Sequence, residues 1–129
     1  MGIAADVGTL QRLPRVIGNQ SLVNELCFTA RKMRSEEAGS SGLVSRVLPT
    51  KEDMMTVAHT MAASIAAKSP VAVQGTKMSL VYSRDHTVEE GLEHIARYNM
   101  VMLQSEDVMK AAVAAMDKTN KDPPQFAKL

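Results

Sequence analysis

Apolar residues in the second half of the chain recur at three- and four-residue steps. Met54, Val57, Ala58, Met61 and Ile65 form one stripe, which predicts an amphipathic helix of about five turns. Its start is marked by Pro49 and then Thr50-Lys51-Glu52-Asp53, a capping-box pattern in which the Thr50 hydroxyl takes up N–H groups without helical partners. Ser69-Pro70 predicts a second helix, with Ser69 as its cap and the proline at the first helical position, where no N–H is needed. Thr87-Val88-Glu89-Glu90 marks a third start, followed by Val88, Leu92, Ile95, Ala96 and Met102 on one face. Ser105 precedes Glu106-Asp107, acids that suit the positive end of a helix dipole. Met109, Ala112, Val113 and Met116 make the last stripe.

The first half is less regular. Val7 to Ile17 reads as a short helix interrupted by Pro14 and stopped by Gly18-Asn19, and Gln20 to Leu26 as another, capped by Asn19. Ser35-Glu36-Glu37-Ala38 opens a turn or two of helix that ends between Gly39 and Gly42. Leu43 to Leu48 alternates and carries β-branched residues, the pattern of a strand. The one other β candidate, Leu26-Cys27-Phe28-Thr29, is too short and too near to pair with it. A strand's backbone groups need partners, so the matching sheet is expected on chain outside these residues. From Asp117 onward the sequence is polar and contains Pro123-Pro124, the character of a loose tail.

Composition narrows the function classes. A length of 129 residues, with 45% hydrophobic and 22% charged, fits one folded domain and excludes wholesale disorder. Lys+Arg total 15 against 14 for Asp+Glu, aromatics are 3% and Trp is absent. That excludes the basic footprint and stacking platforms of a nucleic-acid partner. The 10 methionines favour adaptable helix packing. No apolar run approaches the ~20 residues of a membrane span. Met1-Gly2-Ile3-Ala4-Ala5-Asp6 lacks the features of a signal or transit peptide. It also has Asp6 where N-myristoylation wants Ser or Thr. The single Cys27 has no disulfide partner in the chain and no metal-ligand spacing with His59, His86 or His94. A reducing intracellular compartment, no structural metal and no cofactor are expected.

Chemistry has few candidates. Asp6 precedes Val7-Gly8-Thr9, so its carboxylate is placed to cap the N–H groups of Gly8 or Thr9. A catalytic role instead needs an apolar, partly dry setting in which it exchanges a proton with a carbon acid, and Ile3, Ala4, Ala5 and Val7 permit one. His59 and His94 read as packing or surface residues, and Cys27 as a small buried hydrophobe. Lys51, Lys68, Lys77, Arg84 and Arg97 read as solvated helix-face charges, any of which suits a ligand phosphate. Ser83-Arg84-Asp85-His86 reads as a turn between helices. No phosphate loop, zinc pattern or hydrolase elbow is present.

Taken together, Gly8-Thr9-Leu10-Gln11-Arg12-Leu13-Pro14-Arg15-Val16-Ile17-Gly18, Thr29-Ala30-Arg31-Lys32-Met33 through Glu37-Ala38, Gly42-Leu43-Val44 with Val47, and Ser69-Pro70-Val71-Ala72-Val73 resemble the C-terminal part of the enoyl-CoA hydratase/isomerase (crotonase) superfamily. Ala4-Ala5-Asp6-Val7-Gly8 and Tyr82-Ser83-Arg84-Asp85-His86 look most like the dienoyl-CoA isomerases within it. Hydratases usually carry glycine where this chain has Asp6. The resemblance implies a mostly α chain with one or two short strands, the end of a crotonase α/β spiral fold plus its C-terminal oligomerisation helices. Residues 1–48 would close the core and carry Asp6, 49–116 would form the helical oligomerisation region, and 117–129 would be a flexible tail. It further implies that Asp6 and a glutamate eight residues upstream shuttle a proton between carbons 2 and 6 of a 3,5-dienoyl-CoA. That glutamate falls before Met1, as do the oxyanion and main CoA-binding segments, so an N-terminally truncated chain, inactive alone, is expected. The partners implied are the acyl-CoA substrate and further copies of the chain in a trimer or hexamer. Ala127-Lys128-Leu129 resembles a peroxisomal address read by an import receptor; relatives with a leader go to the mitochondrion. An enoyl-CoA hydratase fragment and a non-enzymatic helical association module are the alternative readings.

Overall fold

A computed structural model describes residues 2–117, 119 and 124–127. It contains α1 (Thr9–Val16), α2 (Gln20–Thr29), α3 (Ser35–Ser40), α4 (Lys51–Ala66), α5 (Pro70–Tyr82), α6 (Val88–Met102) and α7 (Glu106–Met116). The chain divides into two compact units, residues 1–55 and 56–129, and the division falls within α4. No described helix is long and apolar enough to cross a membrane.

Polar side chains start most of these helices where the sequence places them. Asn19 accepts the Leu22 N–H at 3.1 Å to open α2, and Thr50 accepts that of Asp53 at 3.0 Å to open α4. Ser69 accepts the Ala72 N–H at 3.2 Å ahead of Pro70. At α6 the capping box is complete: Thr87 accepts from the Glu90 N–H, and the Glu90 carboxylate accepts from that of Thr87. Each bond satisfies an N–H that the helix leaves open.

In the first unit, α1 packs against α2 around Ile17 (1% exposed) and Val23, with Ala38 of α3 also buried. Pro14 sits inside α1. Between α2 and α3, the Arg31 guanidinium holds Glu37 through both carboxylate oxygens (2.6 and 2.8 Å) and Glu25 at 2.7 Å. The hydrogen bonds from Arg31 pull the Glu37 carboxyl below its usual range.

The expected strand over 43–48 does not form, and no strand exists among the described residues. Without a partner edge, the first two N–H groups turn back instead: Leu43 and Val44 both donate to the Ala38 carbonyl, at 2.9 and 3.2 Å. Gly42, at φ 79°, donates to Gly39. This is a Schellman close to α3, which needs a left-handed residue that glycine supplies without strain. Val47 then lies against Gly39, where a Cβ would stand 3.0 Å from its Cγ2. The second β candidate, Leu26–Thr29, is the last turn of α2.

In the second unit, α5 and α6 form a close pair. The approach centres on Gly75, which is buried; a Cβ there would lie 2.5 Å from Cε1 of Tyr98. The half-buried positions of α6 are Gly91, His94, Ile95, Tyr98, Asn99 and Met102. That face is rotated from the expected one: Val88 and Leu92 are exposed. At the α5–α6 corner the Tyr82 ring is stacked between His86 (3.6 Å) and His94 (4.1 Å).

Candidate functional site

Asp6 is the residue to which the sequence assigns chemistry, and its surroundings begin with the backbone. Thr9 N–H donates to the Asp6 carbonyl at 3.2 Å, closing a four-residue turn. Its two central residues, Val7 (φ 54°) and Gly8 (φ 84°), are both left-handed, the pattern of a type I′ turn. The expected carboxylate cap is therefore replaced by a main-chain bond. Gly8, not Asp6, is the N-cap residue of α1 and supplies no side-chain bond. The Asp6 side chain is exposed and free to act on something else.

A left-handed valine is unusual. Its branched Cβ crowds the following carbonyl, at a cost of about 1–2 kcal/mol. The side chain that answers it is Arg12, from the first turn of α1. Its Nη2 donates to the Val7 carbonyl and its Nε to the Gly8 carbonyl. Gly8 makes room for this: a Cβ there would lie 3.0 Å from Nε and 3.1 Å from Nη2. Sequence reading assigned Arg12 no role. The signal available was an Asp-Val-Gly turn followed four residues later by arginine, and the left-handed state of Val7 cannot be read from residue type.

The apolar neighbours expected to dry the carboxylate do not enclose it. Ile3 is exposed and Val7 is 82% exposed. Neither described cavity is lined by Asp6. One is a shallow cleft in the first unit beside Gly18, Asn19 and Glu37. The other, of about 410 Å³, lies among α5, α6 and α7, lined by Val71, Gly75, Ile95, Tyr98 and Val108 with Asp107 at its polar end. Asp107 is 8% exposed and accepts a 2.5 Å bond from the Ser69 hydroxyl.

The remaining sequence candidates are placed as follows. His59 is exposed, and Cys27 is half-buried rather than fully buried. His86 Nδ1 donates to the Tyr82 carbonyl at 2.7 Å and lies 2.9 Å from Asp85, bonds that raise its pKa above the ordinary value. Ala127 is exposed, and Lys128 and Leu129 lie outside the described residues. Among the described residues no group of three or more His, Cys, Asp or Glu is placed to hold a metal ion.

The chain is 60% identical over all 129 residues to the mitochondrial Delta(3,5)-Delta(2,4)-dienoyl-CoA isomerase of Rattus norvegicus, spanning 39% of that protein. It is 44% identical, again over its whole length, to the peroxisomal isomerase of the same name from Arabidopsis thaliana, spanning 45% of it. Its structure matches a crystal structure of an enoyl-CoA hydratase from Mycobacterium marinum with a TM-score of 0.85 and 28% identity, over 98% of this chain and 50% of that one. The chain thus spans less than half the length of these curated relatives. The model of the enoyl-CoA hydratase/isomerase family matches residues 1–128; the chain belongs to that family.

Proposed function

We propose that these 129 residues form the C-terminal part of a Δ3,5-Δ2,4-dienoyl-CoA isomerase of fatty-acid β-oxidation. The observation that carries this reading is the 60% identity to the rat isomerase over all 129 residues of the chain. Isomerisation removes a proton beside the thioester, spreads charge along a dienolate and returns a proton at the far end. Asp6 exchanges the proton at carbon 6. A second carboxylate, eight residues upstream on the family pattern, exchanges the one at carbon 2. Donors outside these residues hold the thioester oxygen.

Residues 1–48 close the crotonase core, 49–116 form the helices through which copies associate as a trimer or hexamer, and 117–129 form the tail. Exposed apolar residues on α4 to α7, among them Met61, Leu80, Leu92, Val101 and Met116, support the associating role, since apolar patches of this kind mark contact surfaces. The tail carries Ala127-Lys128-Leu129 to a peroxisomal import receptor. The peroxisomal name of the Arabidopsis relative supports that destination, and the rat relative's name points to the mitochondrion instead.

The test joins residues 1–129 to the preceding part of the rat isomerase. The chimera is expected to convert 3,5-dienoyl-CoA to the conjugated 2,4-dienoyl chromophore, and the 129 residues alone are not. Asp6→Asn in the chimera should abolish turnover while retaining substrate binding, because an amide keeps the shape and carries no proton. A chimera that hydrates 2-enoyl-CoA and leaves 3,5-dienoyl-CoA untouched would establish the hydratase reading in its place. For the tail, residues 117–129 behind a fluorescent reporter should give puncta that coincide with a peroxisomal marker. A diffuse signal indifferent to deletion of Leu129 refutes the address.

A further inference from the structure

We propose that Arg12 is a positioning residue for Asp6: its guanidinium clamps the left-handed Val7-Gly8 turn and so fixes the direction in which the carboxylate is presented. The inference rests on the reading of Asp6 as a proton carrier. Three independent features converge on it. Val7 and Gly8 are consecutive left-handed residues, at φ 54° and 84°, and a β-branched residue does not hold that state unaided. Arg12 donates to the carbonyls of both residues, so each arm of the planar fork fixes one peptide plane of the turn. Gly8 leaves open the space that the guanidinium occupies, since a Cβ there would stand 3.0 to 3.2 Å from Nε, Nη2 and Cζ.

The geometry has a direct consequence for Asp6. Its carbonyl accepts the Thr9 N–H that closes the turn, so rotation of the Val7 peptide swings the Cα–Cβ bond of Asp6 with it. Arginine suits this task because it offers several donors in a rigid plane, whereas lysine offers one flexible point. The carbonyls are neutral, so the clamp acts through geometry. Its loss should be repaired by a turn sequence that prefers the same backbone state. Asn-Gly is the favoured pair for a type I′ turn, which makes Val7→Asn the matching repair.

Two readouts test this. In the 129-residue chain, Arg12→Ala should speed hydrogen exchange at the Thr9 amide, and adding Val7→Asn should slow it again. In the chimera with the rat isomerase, Arg12→Ala should lower kcat per folded enzyme by about 10- to 100-fold, the scale of a misplaced reacting group, with KM little changed. Arg12→Lys should recover only part of the rate and Val7→Asn most of it, while the pH profile of kcat keeps the parent's midpoint. A loss of rate that only follows the loss of folded protein, that falls on KM instead of kcat, or that Val7→Asn does not repair, overturns the proposal. Asp6→Asn run in parallel separates the two ideas. Full activity in Asp6→Asn sinks the proton-carrier reading itself, whereas an inactive Asp6→Asn beside an unaffected Arg12→Ala sinks only the clamp.

Discussion

Gly75→Ala tests the closest contact in the second unit, because two opposing effects of known size meet there. Alanine in the middle of a helix is favoured over glycine by about 1 kcal/mol. Against this, the new Cβ would stand 2.5 Å from Cε1 of Tyr98, 3.2 Å from Cζ and 3.3 Å from Cδ1. A ring carbon cannot be approached so closely, so α6 or the ring must give way, at the roughly 1–3 kcal/mol typical of overpacking. The difference is a net loss of about 1 kcal/mol, to be read from urea unfolding followed by helical circular dichroism. Tyr98→Leu removes Cε1 and Cζ. In that background Gly75→Ala should reverse sign and stabilise by up to about 1 kcal/mol, the helix preference alone. Stabilisation by Gly75→Ala with Tyr98 intact, or equal effects in both backgrounds, would refute the close approach of α5 and α6.

Ser69→Ala removes both the cap of α5 and the donor to the buried Asp107; it should cost about 2 kcal/mol in the same unfolding assay, and Ser69→Thr should cost less. The thermal midpoint should fall on both sides of a plateau as pH varies. His86, raised above its ordinary 6.5 chiefly by the Tyr82 carbonyl and then by Asp85, contributes its full stabilisation below 6.5 and loses it as pH rises through the raised value. Glu90, lowered by the Thr87 N–H and hydroxyl, and Glu37, lowered by Arg31, contribute theirs above 4.5 and lose it as pH falls through the depressed values. His86→Gln should flatten the alkaline side alone; superimposable profiles would exclude the His86 assignment.

Helix starts were legible because a cap is a local event. Asn19, Thr50, Ser69 and Thr87 each bond an N–H three residues on, so residue type and spacing suffice. Helix faces were less legible. On α6 the sequence favours Val88, Leu92, Ile95, Ala96 and Met102; Ile95 and Met102 are half-buried, but Val88, Leu92 and Ala96 are exposed and the sheltered side also takes in Gly91, His94, Tyr98 and Asn99. Close helix approach selects for small size and ring shape as well as hydrophobicity, and the missing Cβ of Gly75 decides the fit from another helix. The strand expected at 43–48 failed for a related reason. Alternation describes a strand that has a neighbour, and without one the N–H groups of Leu43 and Val44 go to Ala38. At the candidate site, Asp6 was legible as a residue type. The left-handed Val7 was not, since it goes with a guanidinium five positions further along the chain that folds back onto the turn.

The division between local and distant causes also bears on how Asp6 works on the proposed reading. A carboxylate that exchanges protons with carbon needs two things: a fixed direction, and surroundings that make its charge reactive. The first is built within these residues, by the Val7-Gly8 turn, the Thr9 bond and the Arg12 clamp. The second is not, for Asp6 and its apolar neighbours Ile3 and Val7 are exposed. Desolvation must then come from chain or substrate laid over this face, and an acyl-CoA thioester with its apolar chain is suited to supply part of it. Substitutions at Val7, Gly8 or Arg12 therefore act on direction, whereas those that alter the covering surface act on the acid's proton affinity. The two classes separate in the pH dependence of kcat measured at substrate saturation and of kcat/KM, which report the acid with and without its cover.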